Sequence, residues 1–413
     1  MKPARLQRLL GLSLAAALAA TAGCSGGSSG ITTGGGGSGS TTTNMQAFTV
    51  NTGPAAASPY VNGAFTSVTV CAPGSTTNCQ TIGGILLDTG SSGLRILSSA
   101  LTISPTQQTR GNGVLIAECL PFVDGFTWGP VQTVDMTIAG EQAKSLPIQV
   151  INGSFSTIPN SCSSNGAPEN DLSSLGANGI LGIGSFPEDC GGGCTESGAG
   201  NPGLYYACTG ANCEVTTESL SSQLQNPIIL FPTDNNGVIF QLDSVSGAQT
   251  SVSGSLIFGI GTQSNNGLGS ATVYGLDPEL GNFTTMFNGQ TYSDLAFLDT
   301  GSNAIYFLGS NTVNIPTCTD VTFWYCPTTT QNLTATNQAF DGGASGPVDF
   351  VVGNADTLTT NENDAAVNGL AGPSSEPSMF AFDWGLPFFF GRKVYTSIEG
   401  QNTPAGTGPY VAY

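Results

Sequence analysis

One phrase of the sequence occurs twice and constrains the fold more than any other feature. An apolar run enters Asp-Thr-Gly-Ser at residues 85–91 (ILLDTGS) and again at residues 296–302 (AFLDTGS). Each copy is followed by two apolar residues and a glycine, so that Asp88 precedes Gly182 by 94 residues and Asp299 precedes Gly391 by 92. This internal repeat predicts two similar halves related by a pseudo-two-fold axis, with the two aspartates facing each other across it.

Two carboxylates that meet in this way can share one proton. At a separation of about 3 Å they cannot both ionise cheaply, so one pKa falls, the other rises, and the pair titrates as a unit. The ionised member can take a proton from a bound water while the protonated member polarises a carbonyl, which is general acid–base hydrolysis of a peptide. We therefore predict that Asp88 and Asp299 are catalytic. The residues expected to turn, brace and orient the two loops are Thr89, Gly90, Ser91, Thr300, Gly301 and Ser302.

The composition excludes most other chemistries. The 413 residues contain no histidine, which rules out Ser-His-Asp and Cys-His catalysis and histidine-bearing metal sites. Beyond the N-terminal leader, neither Lys144 nor Lys393 follows a glycine, which excludes a P-loop; we expect no metal and no other cofactor. With 8 basic and 27 acidic residues the net charge is −19, which argues against nucleic-acid binding.

The N-terminus has the pattern of a bacterial export signal. Three basic residues at positions 2, 5 and 8 precede an apolar run over 9–22, which is too short for a comfortable membrane span. The run ends in Thr-Ala-Gly-Cys, which resembles a lipobox and predicts lipidation of Cys24; an ordinary cleaved signal is the alternative. We thus expect a lipoprotein signal peptide over 1–24, a Ser/Gly/Thr-rich tether over 25–46, and a lipid-anchored protein of the cell envelope, at the outer membrane.

The ten remaining cysteines predict five disulfides, because an exported chain meets an oxidising compartment. Two pairs of cysteines have the same separation of eight residues, which favours a disulfide across a hairpin in each place. Two further cysteines, which lie between these pairs in the sequence, are left as candidates to bridge each other. Four cysteines crowd a Gly-rich insertion over 185–215; their connectivity stays open, with a four-cysteine zinc site as the alternative. The expected pairs are Cys71 with Cys79, Cys318 with Cys326 and Cys119 with Cys162, and the undecided residues are Cys190, Cys194, Cys208 and Cys213.

The body of the chain reads as β throughout. Short β-branched and aromatic runs are separated by Gly, Asn, Pro and Ser, which predicts an all-β protein with an N-terminal lobe over 47–245 and a C-terminal lobe over 246–413. Asn236-Gly237 indicates a hairpin, and only residues 216–224 have the pattern of a helix. The predicted strands cover 65–70, 132–138, 148–151, 238–242, 255–260, 304–308, 321–325 and 348–352.

Together these segments resemble the pepsin-like aspartic proteases, over about residues 65–398. The resemblance implies a bilobal double-β-barrel with a central cleft, in which an apolar-apolar-glycine strand threads each aspartate loop. A narrower resemblance links the leader, the tether and the insertion to uncharacterised bacterial putative lipoproteins with two Asp-Thr-Gly-Ser motifs. The segments that carry the wider resemblance are 88–94, 180–182, 254–259, 299–302, 389–391 and 394–396.

The chain departs from that family at the hairpin, or flap, that closes the cleft. With the flap over 119–138 and its glycines at Gly125 and Gly129, Phe122 stands where the family has a tyrosine. Arg95 stands where the family has the tryptophan that this tyrosine bonds. The polar latch is therefore missing, and we expect Phe122, Gly125 and, as a substitute for the tyrosine, Trp128 at the substrate. Arg95 is either ion-paired or a substrate anchor.

Two functions follow from these observations. The first is an aspartic endopeptidase of the cell envelope that hydrolyses peptides, with an extended peptide lying in the cleft as an added strand. The alternative is a catalytically weak or inactive protein of the same fold that binds or scaffolds an envelope partner. A third reading, a surface β-protein whose aspartates bind calcium, lacks the loop spacing that calcium sites show. We expect a monomer that contacts the membrane through its lipid anchor.

Overall fold

The computed structural model describes residues 44–413. The predicted signal peptide, Cys24 and most of the tether lie outside the described residues. Met45 and Gln46, assigned to the tether from the sequence, already belong to the first strand. No helix among residues 44–413 is long and apolar enough to cross a membrane.

Strands are the main regular structure of the described chain, and most of them belong to two sheets. The larger sheet combines the strands of the N-terminal half with the last strands of the chain. Its members are Met45–Asn51, Gly63–Cys71, Cys79–Asp88, Ser92–Leu97, Thr106–Gln107, Thr109–Arg110, Val114–Pro121, Gly125–Ile138, Glu141–Ile151, Ala167–Pro168, Gly179–Ile183, Tyr205–Thr209, Asn212–Val215, Gly237–Leu242, Val252–Phe258, Val273–Gly275, Lys393–Ser397 and Tyr410–Ala412.

The second sheet belongs to the C-terminal half. Its strands are Phe283–Phe287, Gln290–Leu298, Ile305–Phe307, Gln331–Gln338, Ser345–Val352, Ala371–Gly372 and Phe382–Trp384. Two small pairs join Ala248–Gln249 to Ala366–Val367 and Asn402–Thr403 to Gly406–Thr407. The helices of the described part are single turns: Ser98–Ala100, Gly111–Gly113, Asn160–Ser163, Leu172–Leu175, Gly191–Thr195, Leu220–Ser222, Pro227–Leu230, Ser310–Val313, Ala355–Leu358 and Leu386–Phe389.

An aromatic core holds the N-terminal strand, the middle of the chain and its C-terminal part together. Met45–Asn51 pairs antiparallel with Val252–Phe258, which also pairs with Gly237–Leu242. Phe240 contacts Phe48 at 4.3 Å and Phe389 at 5.3 Å between ring centroids, and all three are buried. Each buried phenylalanine contributes about 1.5–3 kcal/mol, so the two halves are joined by apolar packing as well as by strand pairing.

In the N-terminal half a glycine-bearing strand supports the first aspartate. Cys79–Asp88 ends at Asp88 and pairs in parallel with Gly179–Ile183, which places Gly182 directly beside that aspartate. A side chain at Gly182 does not fit, because a Cβ there would lie 2.8 Å from the backbone of Ser92. The glycine therefore lets the aspartate loop fold over this strand.

The C-terminal half repeats this arrangement with a different glycine from the one predicted. Gln290–Leu298 pairs in parallel with Phe382–Trp384, Leu298 opposite Trp384, so Gly385 comes level with Asp299. A Cβ on Gly385 would lie 2.1 Å from the carbonyl oxygen of Ala304. The prediction that residues 389–391 thread the second loop is wrong: Phe389 lies in the apolar core, and the agreement of 94 with 92 residues was coincidental.

Five disulfides join the ten described cysteines. The three predicted pairs are present, and the Gly-rich insertion contains the bridges Cys190–Cys194 and Cys208–Cys213. Those four cysteines therefore have no thiolate to offer zinc. Cys119–Cys162 spans 43 residues, far more than the others, and in the chain-entropy account it restricts the unfolded chain most.

Three local predictions were wrong. Residues 216–224 form no helix beyond the single turn Leu220–Ser222, and residues 321–325 form no strand. Asn236 and Gly237 do not turn a hairpin: the Asn236 side chain donates to the carbonyl of Ile260 and accepts from its amide, which fixes the entry to Gly237–Leu242.

Candidate active site

The two aspartates meet at the junction of the halves. Both carboxyl groups contact Gly90, each is close enough to alter the pKa of the other, and both residues are 0% exposed. Gly90 lies against the second carboxylate so closely that a Cβ on it would be 2.8 Å from Cγ of Asp299. A side chain at this position would push the carboxyls apart, so glycine is required by the close approach of the loops.

Two threonines tie the loops together across the axis. The Thr89 amide donates to Oγ1 of Thr300 at 3.0 Å, and the Thr300 amide donates to Oγ1 of Thr89 at 3.0 Å. Each hydroxyl donates in turn to the strand of the other half: Thr300 to Leu87 O at 2.9 Å, and Thr89 to Leu298 O at 3.4 Å. All of these groups are buried, so the bonds fix both loops in one arrangement.

The loop residues also orient each carboxylate. The amides of Gly90 and Gly301 donate to the Oδ1 atoms of Asp88 and Asp299, each at 2.7 Å. The hydroxyl of Ser91 donates to Oδ2 of Asp88. Ser302 donates to Oδ2 of Asp299 at 2.8 Å. The two halves thus present their carboxyls in matching environments, with one amide and one hydroxyl for each.

A third carboxyl group, which was not predicted from the sequence, breaks this symmetry. Oδ2 of Asp383 lies 2.6 Å from the Ser302 hydroxyl, on the strand beside Asp299. A hydroxyl has one proton to donate, so a bond to both carboxyls requires one of them to be protonated and to donate to Ser302. A chain of Asp383, Ser302 and Asp299 results. The sequence signal for this residue is an acid two positions before Gly385. It was missed because the glycine of the second threading strand was predicted at Gly391.

Burial raises the pKa of all three carboxyls. The pKa of Asp88 is raised by burial, against the lowering effect of its hydrogen bonds to Ser91, Asp299 and Gly90. Burial raises the pKa of Asp299 well above its usual range, and the neighbouring Asp88 and Asp383 raise it further. Burial likewise raises the pKa of Asp383. The site therefore retains protons to a higher pH than isolated carboxyls do, as an acid–base pair near neutrality requires.

A crevice between the two halves runs alongside the loops. Its walls are the first aspartate loop, the segment after Gly182, and residues of the C-terminal half that come both before and after Asp299 in the chain. Phe297 and Phe380 pack edge-on at 5.6 Å on the C-terminal side. Residues that line it include Gly90, Ser92, Phe186, Asp189, Leu280 and Phe297. The lining is partly apolar and includes Thr89, Gly90 and Ser91, which follow the first aspartate, as a peptide site beside the dyad should.

The flap residues lie away from this crevice. Val114–Pro121 and Gly125–Ile138 form the predicted hairpin, closed by a bond from the Phe122 amide to the carbonyl of Gly125 at 2.7 Å. The Phe122 ring is buried in an apolar cluster with Leu120 and Leu224. Trp128 is fully buried in a different cluster and packs edge-on against Tyr206 at 5.3 Å. The expectation that Trp128 replaces the flap tyrosine at the substrate is therefore wrong.

Arg95 is the centre of a buried charge network. Its guanidinium donates to Glu118 at 2.7 Å, to Asp189 at 3.1 Å and to the carbonyl of Ser92 at 2.9 Å, and all three charged side chains are inaccessible to solvent. Burial lowers the pKa of Arg95, but Glu118 and Asp189 outweigh it and the pKa rises. Burial and the charge of Glu118 raise the pKa of Asp189 well above its usual range. Arg95 is therefore ion-paired and structural, and it is not free to anchor a substrate.

A second pair of acids lies at the tip of the flap. Asp124 lies in the turn after Phe122, and Glu169, which is 6% exposed, packs against the neighbouring Gly125. Burial raises the pKa of Asp124 to about 7 and, with the charge of Asp124, that of Glu169 to about 9. In the C-terminal half, burial and the charges of Asp383 and Asp124 raise the pKa of Tyr306.

Comparisons with known proteins give the family and the fold of the chain. Residues 40–413 match the family described as "Protein of unknown function (DUF3443)". The chain belongs to that family. The crystal structure of an aspartic proteinase from Irpex lacteus has the same overall fold, with a TM-score of 0.54 and 16% sequence identity over 89% of this chain and 96% of that one. No curated protein sequence matches the chain. The predicted all-β, bilobal pepsin-like fold is thus confirmed for this family member.

Proposed function

We propose that this protein is an aspartic-type peptidase that hydrolyses peptides with water activated between Asp88 and Asp299. The observation that carries the proposal is the close approach of two buried carboxyls, each oriented by a loop amide and a serine hydroxyl. The ionised carboxyl accepts a proton from water as its oxygen bonds to the peptide carbonyl carbon. The protonated carboxyl donates to the carbonyl oxygen, and a proton then passes to the leaving amine as the C–N bond breaks.

Substrate entry requires movement in this proposal. Both aspartates are inaccessible in the described state, so a peptide has to displace the flap tip or the segment opposite it. The crevice beside Gly90 gives an extended peptide a groove that leads to the dyad. Closure over the substrate would then exclude water other than the reacting molecule.

The proposal is tested on the mature protein with an unfolded protein as substrate between pH 3 and pH 7. We expect cleavage that pepstatin inhibits and that Asp88→Asn lowers by at least about 100-fold, because the variant removes the general base. Asp320→Asn, a matched change at an exposed aspartate, should leave the rate unchanged. Absence of cleavage at every pH by folded protein would contradict the proposal.

A binding protein on the same fold is the second candidate. The complete burial of both aspartates and the absence of the tyrosine–tryptophan latch favour it. In that case the folded protein binds an extended peptide with an affinity that Asp88→Asn leaves unchanged, and no peptide is cut. Isothermal titration with an uncleavable peptide and product analysis by mass spectrometry separate the two candidates.

We also propose that the protein acts at the cell envelope, anchored by lipid on Cys24. The leader over 1–24 supports this location, and the five disulfides are compatible with an exported protein. Metabolic labelling with a fatty acid should mark the wild-type protein and not Cys24→Ala, which should be released from the membrane fraction. Equal labelling of the two would contradict the anchor.

A further inference from the structure

A buried acid breaks the internal repeat of the chain beside the second aspartate. In the N-terminal half Leu86, two residues before Asp88, pairs with Ile180 on the neighbouring strand. The matching position of the C-terminal half pairs Phe297 with Asp383, which is 8% exposed. An acid therefore stands where the first half has an isoleucine. Burying a carboxyl group costs free energy that burying an apolar side chain does not, which points to a role for Asp383 beyond packing.

A single hydroxyl joins this acid to the dyad. Oγ of Ser302 lies 2.6 Å from Oδ2 of Asp383 and 2.8 Å from Oδ2 of Asp299. One hydroxyl proton cannot serve both carboxylates, so one of the two carboxyls carries a proton of its own and donates it to Ser302. Oδ1 of Asp383 is buried and has no hydrogen-bond partner among the described residues. An ionised oxygen there costs more than the carbonyl oxygen of a neutral acid, which favours the proton on Asp383.

The charges around the two aspartates of the dyad differ. Burial raises the pKa of Asp88, and its hydrogen bonds and the charge of Arg95 act against this. Burial raises the pKa of Asp299 well above its usual range, and the charges of Asp88 and Asp383 raise it further. Tyr306, paired with Asp383 on the next strand, has a pKa that burial raises well above its usual range, so its hydroxyl is neutral. No ion pair within residues 44–413 includes Asp299 or Asp383. Protons therefore neutralise these two acids, and Asp88 holds the negative charge.

We propose that Asp383 is a positioning residue of the peptidase site: it shares a proton with Asp299 through Ser302, so that Asp299 keeps the acid proton, and Asp88 the negative charge, over a wider pH range than two aspartates alone allow. The inference rests on the proposed peptidase function and deepens it. It assigns Asp299 as the group that donates to the peptide carbonyl oxygen and Asp88 as the group that takes a proton from water.

The hydroxyl of Ser302 reverses its direction when the site loses a proton. In the more protonated form Asp383 donates to Ser302, and Ser302 donates to Asp299. When one proton leaves the three acids, Ser302 turns its O–H bond to the Asp383 carboxylate, and Asp299, protonated on Oδ2, donates to Ser302. The negative charge gained lies on Asp383, and the dyad still holds one proton. Only the loss of a further proton, against two negative charges, removes the acid, whereas two aspartates alone lose it in the preceding step.

The test is the pH dependence of kcat/KM between pH 3 and pH 8 for wild-type protein, Asp383→Asn and Asp383→Ile. The asparagine amide donates to Ser302 and cannot release a proton, and the isoleucine does neither. We expect the alkaline limb of the profile to move to lower pH by about one unit or more in both variants, and the acid limb, which reports Asp88, to stay in place.

An exposed aspartate gives the matched control. Asp349 accepts from the hydroxyl of Thr334 at 2.6 Å, as Asp383 does from Ser302, and Asp349→Asn should keep both limbs of the profile. An unchanged alkaline limb in folded Asp383→Asn would overturn the inference and leave the peptidase intact. A limb that moves only in Asp383→Ile would also overturn it, because the hydrogen bond to Ser302 and not the proton would then be what matters.

Infrared spectroscopy tests the shared proton without catalysis. It therefore decides the inference even if no peptide is cut, an outcome that would refute the peptidase proposal. With labelled aspartate carboxyls at about pH 6, Asp383→Asn should lose at least one band of a protonated carboxyl, and Asp349→Asn, at a residue exposed to water, should lose none. The lost band should shift in Asp299→Asn, which replaces the acceptor of the Ser302 hydroxyl. No lost band, or a band that Asp299→Asn leaves in place, would overturn the sharing of the proton.

Discussion

The threonine brace makes a quantitative prediction about stability that does not depend on catalysis. In Thr300→Val the shape of the side chain is kept and the hydroxyl is lost. The Thr89 amide then loses its acceptor at 3.0 Å, and the Leu87 carbonyl loses a donor at 2.9 Å. Each buried group left without a partner costs about 1–3 kcal/mol. We therefore expect Thr300→Val to lower the free energy of unfolding by about 2–6 kcal/mol.

The matching change in the first loop should cost less. Thr89→Val also removes one acceptor at 3.0 Å, but its donated bond to Leu298 is long, at 3.4 Å, and little is lost with it. The difference between the variants should be about 1 kcal/mol, the value of one hydrogen bond. Thr300→Ser keeps the hydroxyl and loses only a methyl group, which should cost about 1 kcal/mol.

The measurement is equilibrium denaturation of the disulfide-bonded protein followed by tryptophan fluorescence. Trp384 pairs with Leu298 next to the second loop, so it reports on this region. Unfolding midpoints are compared at a common slope, because a bilobal protein need not unfold in one step. If Thr300→Val costs no more than Thr300→Ser, the hydroxyl does not brace the loops and the reasoning fails.

Three further predictions concern buried charge. Arg95→Met should lower the free energy of unfolding by about 3–5 kcal/mol, because it leaves two buried acids without their cation. Arg110→Met, at an ion pair whose arginine is 42% exposed, should cost less than about 1 kcal/mol in the same denaturation assay. Similar losses in the two variants would contradict the structural role of Arg95. Asp124 and Glu169 have raised pKa values of about 7 and about 9, so the folded state binds more protons than the unfolded chain, and their contribution is most favourable below about pH 4 and falls as the pH rises to 9. Thermal melts should show that the free energy of unfolding falls by a few kcal/mol over this pH range. The fall should be smaller in the double variant Asp124→Asn/Glu169→Gln, and an equal pH dependence in that variant would refute the role of the two acids. Asp383→Asn imitates the protonated acid and should match wild-type stability at pH 4 and exceed it at pH 8; lower stability at pH 8 would contradict the proton chain.

The meeting of the loops could be predicted because the information is local and duplicated. Asp-Thr-Gly-Ser contains its own turn, its own acceptors and its own cross-axis donors, and an apolar strand precedes it in both copies. The disulfides closing short hairpins were predictable for the same reason, since each pair brackets a turn. Patterns of this kind depend on neighbours in sequence, which a sequence shows directly.

The threading strand and the third acid could not be found in this way. Two apolar residues and a glycine recur often, and the true segment, 382–385, carries Asp383 in place of an apolar residue. The helix expected over 216–224 failed for a similar reason: the Leu224 amide donates to the Tyr205 hydroxyl and the Glu218 amide to Cys194. These outcomes depend on partners far away in the chain, which periodicity does not reveal.

Phe122 and Arg95, which replace the tyrosine and tryptophan of the resembled family, change the way in which the flap is held. In this chain Arg95 bonds the first loop through Ser92, the root of the flap through Glu118 and the insertion through Asp189. The flap root is therefore tied to the aspartate loop by buried charge, which is costly to separate, instead of by a neutral hydrogen bond near the tip. The tip is held by Phe122 packing, by the pairing of Gly125 and Phe126 with Ala167 and Pro168, and by acids around Asp124. Opening for substrate should thus spare the root of the flap, and the loss of the tyrosine–tryptophan pair need not loosen the dyad.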